Sequence, residues 1–441
     1  MQAYSSQNAF SFFFGRYTLL GLSTVFVFIG LCGLSHSESN WREFRGPTGQ
    51  GFSSATDLPV SWSSSQNITW MKPIPGKGWS SPVIENGRIF MTTSVSQEGD
   101  GTSDIGDQSL RVICLDSITG DLEWNVEVFH QDGKTAPRIQ GKNSHASPTP
   151  IVHQDKLYVH FGHQGTACLT FDGQIIWQTR QIQYPPRHGN GGSPVIFDDL
   201  LIFSCDGDED PFVVALELKT GVQRWRTNRN IEAERPFSFS TPLLIQVKGK
   251  PLLISPGSEL VGAYNPRTGE EIWRVRYPTG YSVVPRPVYG HGLVFACSGY
   301  GTPVLYAIRP DGKGDVTDTH VAWQTNKNVP HNPSLLLIED ELYMVSDDGI
   351  GSCLEAKTGE VHWKQRLGGN FSASPLFAGG HVYFQNETST AFVVKASTMF
   401  EQVAVNTFEQ ISDERTFASY AISAGAIYAR TEKHLLRIAN R

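Results

Sequence analysis

From residue 60 onward the chain repeats a pattern of short apolar segments, some with alternating polar positions, separated by polar turns. In the first copy Ser81-Pro82 precedes a short apolar strand, the turn Glu85-Asn86-Gly87 and the strand Ile89-Phe90-Met91. Eight such starts lie about 48 residues apart, and helical periodicity is absent. The starts are Ser81-Pro82, Ser147-Pro148, Ser193-Pro194, Thr241-Pro242, Arg286-Pro287, Pro333-Ser334, Ser374-Pro375 and Ser419-Tyr420. Four short strands per unit, repeated eight times, predict an all-β fold, an eight-bladed β-propeller of four-stranded antiparallel blades.

A second marker keeps step with the first: a Thr-Gly turn followed four residues later by tryptophan. Clear copies are Gly120 with Trp124 and Gly269 with Trp273, and the turn connects two strands of one unit. A large apolar side chain at a fixed place in every unit indicates packing between neighbouring units. We assign this structural role to Trp70, Trp124, Trp177, Trp225, Trp273, Trp323 and Trp363.

The two ends of the repeat region predict closure of a ring. The last unit supplies three strands, near Ala421, Ile427 and Leu436, and lacks a tryptophan strand. The missing strand stands ahead of the first unit, at residues 68–72, and pairing the two would hide both exposed edges. We therefore divide the chain into a signal peptide (1–37), an extended N-terminal arm lying on the outside (38–67) and the propeller (68–441).

The N-terminus has the pattern of an export signal. Arg16 precedes the largely apolar stretch 17–34, and Ser35-His36-Ser37 supplies small residues at a cleavage spacing. The alternative is an uncleaved anchor, since 18 residues can just span a bilayer. We expect a protein exported to the periplasm or outside the cell, not integral to the membrane unless the signal is retained. The net charge of −7 argues against nucleic acid as a partner, and we expect a monomer.

The Asp-x-x-Thr-Gly-x-x-x-Trp repeat resembles the tryptophan-docking motif of pyrroloquinoline-quinone (PQQ) propellers. Four further segments resemble an exported bacterial subgroup common in planctomycetes: Phe44–Pro47, Lys142–Pro148, Phe237–Pro242 and Gly280–Pro287. Fold relatives in this family include quinoprotein alcohol dehydrogenases and BamB, the propeller lipoprotein of the outer-membrane β-barrel assembly machine. The resemblance therefore implies either an enzyme or a binding scaffold, and the fold alone does not choose between them.

The enzyme interpretation has little support in the residues. Quinoprotein dehydrogenases carry adjacent cysteines beside the cofactor, an aspartate base, and Glu and Asn ligands to calcium. No two cysteines are adjacent here, and no such Glu-Asn-Asp set can be matched. We expect no PQQ or other cofactor, and no catalytic residue is assigned.

Cysteines and acidic loops offer two further candidates for chemistry. Cys114, Cys168 and Cys353 share one position of the third strand, and Cys205 and Cys297 share one of the second, so all five predict small buried packing residues. The acidic loops around residues 100–107 and 206–210 lack the spacing of a calcium loop. We predict no metal site.

In a propeller, the loops before all eight starts open on one face. We predict a surface there that binds a ligand or partner, formed by Trp79, His145, His188, Phe239, Tyr281, Arg286, His331, Phe371 and Phe417. The alternative is that these aromatic residues only fill the central channel. The function predicted is a non-catalytic binding or scaffold propeller for a protein, glycan or small molecule, and the alternative is a quinoprotein dehydrogenase or another enzyme at the same mouth.

Overall fold

The computed structural model describes residues 40–99 and 101–441. The predicted signal peptide, residues 1–37, lies outside these described residues. In the part that is described, no helix is long and apolar enough to cross a membrane. The chain forms eight antiparallel sheets, arranged as the blades of a propeller.

The strands of the first half follow one another blade by blade. After β1 (Ile68–Pro73), blades 1 to 4 comprise β2 (Val83–Glu85), β3 (Arg88–Ser96), β4 (Gln108–Asp116), β5 (Leu122–Gln131); β6 (Ile151–His153), β7 (Lys156–His160), β8 (Thr166–Thr170), β9 (Ile175–Thr179); β10 (Val195–Phe197), β11 (Leu200–Cys205), β12 (Phe212–Glu217), β13 (Gln223–Asn228); β14 (Leu243–Val247), β15 (Lys250–Gly257), β16 (Leu260–Tyr264) and β17 (Glu271–Arg276).

Blades 5 to 8 repeat the arrangement. They comprise β18 (Val288–Gly290), β19 (Leu293–Cys297), β20 (Leu305–Ile308), β22 (Val321–Thr325); β23 (Leu336–Ile338), β24 (Glu341–Val345), β25 (Ile350–Glu355), β26 (Val361–Arg366); β27 (Leu376–Ala378), β28 (His381–Gln385), β29 (Thr390–Lys395), β30 (Gln402–Thr407); β31 (Ala421–Ser423), β32 (Ala426–Arg430) and β33 (His434–Ala439). The short β21 (Gly314–Asp315) adds a fifth, parallel strand to blade 4. Three single turns of helix interrupt the loops: Gly162–Gln164, α1 (Thr317–His320) and Glu409–Ile411.

The predicted closure of the ring is confirmed. β1 pairs with β33 in antiparallel register, so that Trp70 faces Arg437 and Met71 faces Leu436. The N-terminal strand thus becomes the outermost strand of blade 8, in the order β1-β33-β32-β31. Closure leaves both chain ends of the propeller paired within one sheet, which removes the open edge that an eighth blade of three strands would present.

The repeat tryptophans lie between neighbouring blades. Six indole N–H groups each donate to a backbone carbonyl of the next blade at 2.9–3.1 Å, and Trp273 Nε1, for example, lies 2.9 Å from Pro310 O. The turn glycine of the next blade packs under the ring: a Cβ on Gly269 would lie 2.6 Å from Trp225. Glycine is needed at this position for two reasons: its φ is 76°, and the tryptophan ring leaves no room for a Cβ.

Blade 7 lacks such a tryptophan, and the N-terminal arm replaces it. Trp62 stacks on Tyr383 and Phe408, with ring centroids 6.4 and 6.3 Å apart. Its backbone N–H donates to Asn406 Oδ1 at 2.9 Å, and Asn406 lies in β30, the outermost strand of blade 7. The interface between blades 7 and 8 is therefore completed by a side chain from outside the repeats.

The first part of the arm enters the central channel instead of lying outside. Trp41 and Ile84 exchange backbone hydrogen bonds of 2.7 and 2.8 Å, and Ser53 N donates to Phe377 O at 2.9 Å. Ile84 and Phe377 belong to β2 and β27, which are innermost strands of their blades. The expectation that the whole arm lies on the outside is therefore wrong for residues 41–53, which we call the channel plug.

All five cysteines of the described chain are buried and outside disulfides. Cys114, Cys168 and Cys353 lie in β4, β8 and β25, the third strands of their blades, and Cys205 and Cys297 end β11 and β19, which are second strands. Their predicted role as small packing residues is confirmed by exposures of 0–1%.

Candidate functional site

A ring of backbone-to-hydroxyl hydrogen bonds surrounds the channel where the innermost strands begin. At seven of the eight positions the backbone N–H donates to a hydroxyl oxygen of the next blade, at 2.9–3.2 Å. The seven residues that supply these oxygens, which we call the hydroxyl ring, are Ser81, Thr149, Ser193, Thr241, Ser334, Ser374 and Ser419. Arg286 occupies the eighth position and breaks the ring.

The ring corrects the predicted start of blade 2. There the ring position is Thr149, followed by Pro150, so the start of the blade is two residues later than Ser147-Pro148. The tandem Ser-Pro-Thr-Pro satisfies the marker in two registers, and the sequence alone does not separate them. The loop residues of this blade, such as His145, therefore lie two positions further from the ring than the predicted start implied.

Above the ring, the loops of the mouth face enclose a cavity of about 330 Å³. By the mouth face we mean the face that carries the loops from each fourth strand to the next blade. The hydroxyl ring lines this cavity, together with residues that lie two positions before the ring: Trp79, Ser147, Gly191, Phe239, Val284, Asn332, Ser372 and Phe417. Gln140, Lys142, Asn143, His188, Phe237, Tyr281, Ser282 and Tyr300 complete the lining, and the channel plug contributes Phe44.

Five of the nine predicted binding residues line this pocket: Trp79, His188, Phe239, Tyr281 and Phe417. Trp79 and Phe417 pack together with ring centroids 4.6 Å apart, and the indole N–H of Trp79 donates to Asn143 O at 3.1 Å. On the other side, Phe237 meets His188 and Tyr281 edge-on, at centroid distances of 5.3 and 5.8 Å. The structure thus brings these aromatic residues together around one axis.

The other four do not line the pocket. His331 and Phe371 lie three positions before the ring, where an extended chain turns its side chains away from the axis. Phe371 is fully buried against Phe392, and His331 stacks on Tyr300 at 4.6 Å. His145 is buried, with its ring nitrogens 3.1 Å from Gln131 Nε2 and from Asp104 O.

Arg286 lies beneath the pocket and holds the channel plug. Its Nη1 donates to Phe44 O at 2.6 Å, its Nε to Pro242 O at 3.1 Å, and its Nη2 lies 3.2 Å from Glu43 Oε2. The side chain is only 2% exposed. The residue therefore serves the attachment of the arm in this structure and does not contribute to the pocket surface.

The sequence analysis identified six of the seven hydroxyl-ring residues only as repeat markers, and it did not predict Asn332, Tyr300 or Phe44 as site residues. A period-two alternation, counted backward from each start, would have found Asn332, since inward-facing side chains of an extended segment recur at every second residue. Tyr300 comes from the loop between the second and third strands of blade 5, where its hydroxyl accepts a hydrogen bond from Asn332 Nδ2 at 3.0 Å. No repeat signal marks Tyr300 or Phe44.

The lining is nearly free of charge. Lys142 is its one lysine, and its Nζ lies 2.7 Å from Glu387 Oε1. Burial lowers the pKa of His188, and the neighbouring Arg187 lowers it further, so the imidazole is neutral at pH 7. Among the described residues, the lining contains no aspartate, glutamate, arginine or cysteine. Arg187 and Arg235 lie outside it, 5.9 and 4.6 Å from the ring centroids of Phe237 and Tyr281. The pocket offers aromatic faces, hydroxyl groups and side-chain amides.

Comparison with known proteins agrees with this architecture. A family described as "Outer membrane protein assembly factor BamB" (PQQ_2) matches the chain over residues 52–233, 187–350 and 315–399. The chain belongs to this family. Among curated proteins, no sequence matches the chain.

Solved structures of similar fold include members of both functional classes. BamB from Moraxella catarrhalis shares 11% identity and a TM-score of 0.56, over 85% of this chain and 99% of that one. Quinohemoprotein alcohol dehydrogenase from Comamonas testosteroni shares 10% identity and a TM-score of 0.64, over 91% and 81%. The computationally designed Ika8 protein shares 10% identity and a TM-score of 0.53, over 88% and 99%. At such identities the likeness establishes the fold alone.

The residues that line the cavity do not fit PQQ, the cofactor of the quinoprotein dehydrogenases of this fold. Adjacent cysteines and calcium ligands are the features of quinoprotein sites named above, yet the lining has neither thiol nor carboxylate. Cys205 and Cys297 are buried inside blades, away from the cavity lining. Across residues 40–99 and 101–441, no group of three or more His, Cys, Asp or Glu residues is arranged to hold a metal ion.

Proposed function

We propose that this protein is an exported, non-catalytic binding propeller that recognises a ligand in the mouth pocket. The observation that carries the proposal is the pocket itself, to which seven blades contribute a hydroxyl and all eight contribute a residue two positions earlier. A cavity of about 330 Å³ falls within the usual range of ligand pockets, about 300–1,000 Å³.

The lining supports binding better than catalysis. General acid–base catalysis needs an ionisable group within hydrogen-bond reach of the substrate, and nucleophilic catalysis needs an activated nucleophile. His331 Nδ1 lies 3.4 Å from Asp347 Oδ2, but neither residue lines the pocket. His188 lines it, and within residues 40–99 and 101–441 no carboxylate is hydrogen-bonded to its ring as in a catalytic triad.

Export is supported by the apolar stretch 17–34 with its small residues at 35–37, and by the family description, which names an assembly factor of outer membrane proteins. A binding role outside the cytoplasm agrees with both. The fold of the alcohol dehydrogenase supports the alternative only at the level of architecture.

The proposal is tested by binding followed by analysis of the ligand. The full chain is applied to arrays of glycans and of peptides, in parallel with Phe239→Ala at the mouth and Thr268→Ala in a Thr-Gly turn of the opposite face. We expect binding that Phe239→Ala reduces and Thr268→Ala leaves unchanged, and ligand recovered chemically intact by mass spectrometry. A ligand released as product would support an enzyme, and equal binding by both variants would place the site elsewhere.

The quinoprotein alternative has its own test. A ligand at a hundred times its dissociation constant raises the free energy of unfolding by about 2.7 kcal/mol, which a melting curve detects. We expect PQQ with calcium to leave the melting temperature unchanged and alcohols or sugars to reduce no electron-accepting dye. A clear shift or dye reduction would establish the alternative.

A further inference from the structure

We propose that the ligand of the mouth pocket is the end of a neutral saccharide, stacked on the aromatic lining and hydrogen-bonded by the hydroxyl ring. This inference rests on the proposed function and names its ligand class. It follows from the unused hydrogen-bonding capacity of the ring, from the aromatic surfaces beside it and from the balance of charge in the lining.

The ring has donor capacity that the protein itself does not use. A serine or threonine hydroxyl has one O–H to donate and two lone pairs to accept with. Each ring oxygen accepts one backbone N–H, at 3.0 Å for Thr149 and 2.9 Å for Thr241. Within the part of the chain that the structure describes, none of the seven O–H groups has a protein acceptor. All seven border the cavity.

The remaining lining groups add polar partners of the same kind. Gln140 contributes a side-chain amide whose NH2 can donate, and Asn332, whose NH2 donates to Tyr300 and Asp347, contributes its amide oxygen as an acceptor. The Tyr281 hydroxyl has no protein partner among the described residues. A ligand that matches this lining must carry many oxygen atoms that accept, and hydroxyl groups that can also donate, around its edge.

Aromatic faces accompany these polar groups. Phe44 lies half-buried in the lining with the hydroxyl ring, and Trp79, Phe239 and Tyr281 stand above it. The electron-rich face of an aromatic ring attracts polarised C–H groups, and a sugar presents such groups on its ring faces and hydroxyl groups at its edge. The same cavity therefore satisfies both kinds of surface that a pyranose presents.

Charge and shape favour a saccharide over an acidic ligand or a peptide. The charge of Lys142 is balanced by Glu387, with 2.7 Å between Nζ and Oε1. Among the described residues the lining has no second lysine and no arginine; Arg235 lies 4.6 Å from the Tyr281 ring centroid but does not itself line the cavity. Peptide recognition commonly uses an open strand edge or an elongated groove. Here the channel edges of β2 and β27 are already bonded by the plug, at Ile84 and Phe377, and the ring of donors is closed around an axis except at Arg286.

The test compares matched variants of one ring position. Binding of cellotriose, maltotriose and tri-N-acetylchitotriose to the full chain is measured by calorimetric titration, with trigalacturonate and a random peptide library as the other probes. We expect at least one neutral trisaccharide to bind, Thr149→Val to weaken that binding at least tenfold, and Thr149→Ser, which retains the hydroxyl, to restore it.

Two further variants keep the inference falsifiable if Thr149→Val unfolds. Tyr281→Phe removes a hydroxyl that the fold does not use, and we expect it to weaken saccharide binding about threefold or more. Phe44→Ala removes the aromatic face, and we expect a loss of at least tenfold, while Thr268→Ala on the opposite face has no effect.

The outcomes separate this inference from the proposed function. Binding of trigalacturonate or peptides alone, abolished by Phe239→Ala, would overturn the saccharide inference and retain the mouth as a binding site. Saccharide binding that survives Thr149→Val, Tyr281→Phe and Phe239→Ala would overturn both. Failure of every neutral trisaccharide to bind at millimolar concentration would overturn the saccharide inference.

Discussion

Arg286 and Glu43 form an ion pair inside the propeller channel, with 3.2 Å between Nη2 and Oε2. Arg286 stands where seven other blades have a hydroxyl, and Glu43 belongs to the plug. Arg286, which interrupts the hydroxyl ring, is thus also the residue that binds the N-terminal arm.

Replacing Arg286 tests this attachment. Arg286→Ala leaves Glu43 without its counter-charge and removes the donor to Phe44 O. Removing one partner of a buried pair costs about 3–5 kcal/mol, and we expect a loss near 3 because the Glu43 side chain is 23% exposed. The measurement is the urea midpoint, and adding Glu43→Gln should recover part of the loss. A single variant as stable as the parent, or no recovery in the double variant, would contradict the clamp.

The tryptophans of two blades provide a matched pair for stability. Trp273 donates to Pro310 O at 2.9 Å, whereas the indole N–H of Trp70 is buried without a partner among the described residues. Both changes to phenylalanine lose ring volume, but only Trp273→Phe leaves a carbonyl unpaired, at about 1–3 kcal/mol. We therefore expect Trp273→Phe to lower the unfolding free energy more than Trp70→Phe does. Equal losses in denaturant melts would show that the hydrogen bond contributes nothing.

The sequence predicts most of the fold but only part of the candidate site. Repeat spacing and the Thr-Gly and Trp markers predict the blades, the closing strand and the tryptophan packing, because each blade must meet its neighbours in the same way. The plug was not predictable, since residues 41–53 precede the repeats and the hydrogen bonds of Trp41 with Ile84 and of Ser53 with Phe377 leave no periodic signal in the sequence. His331 and Phe371 were placed at the mouth by loop membership, whereas the alternation of an extended chain turns them away from the axis.

A buried histidine makes stability depend on pH. His160 is 2% exposed, its Nδ1 lies 2.9 Å from Thr166 Oγ1, and burial lowers its pKa to about 3. In the unfolded chain the pKa is about 6.5, so between pH 6.5 and 3 only the unfolded state binds this proton. The free energy of unfolding should therefore fall with decreasing pH, by up to about 1.4 kcal/mol per unit from this group.

The substitution His160→Gln should reduce that slope between pH 6.5 and 4, measured from urea midpoints at several pH values. The exposed His362, changed to Gln, controls for histidine substitution as such. A His160→Gln protein with the pH slope of the parent would show that His160 gains a proton in the folded state.

The central claim, that function lies on the mouth face, is tested most directly by dissociation constants for the ligand that the arrays identify. Tyr281→Ala and His188→Ala change residues of the pocket lining, and Thr268→Ala changes a turn of the opposite face. We predict that each mouth variant loses at least about 1–2 kcal/mol of binding free energy, as interface hot spots do, and that Thr268→Ala loses none. Unchanged affinity in both mouth variants, together with loss of binding in Thr268→Ala, would contradict the account.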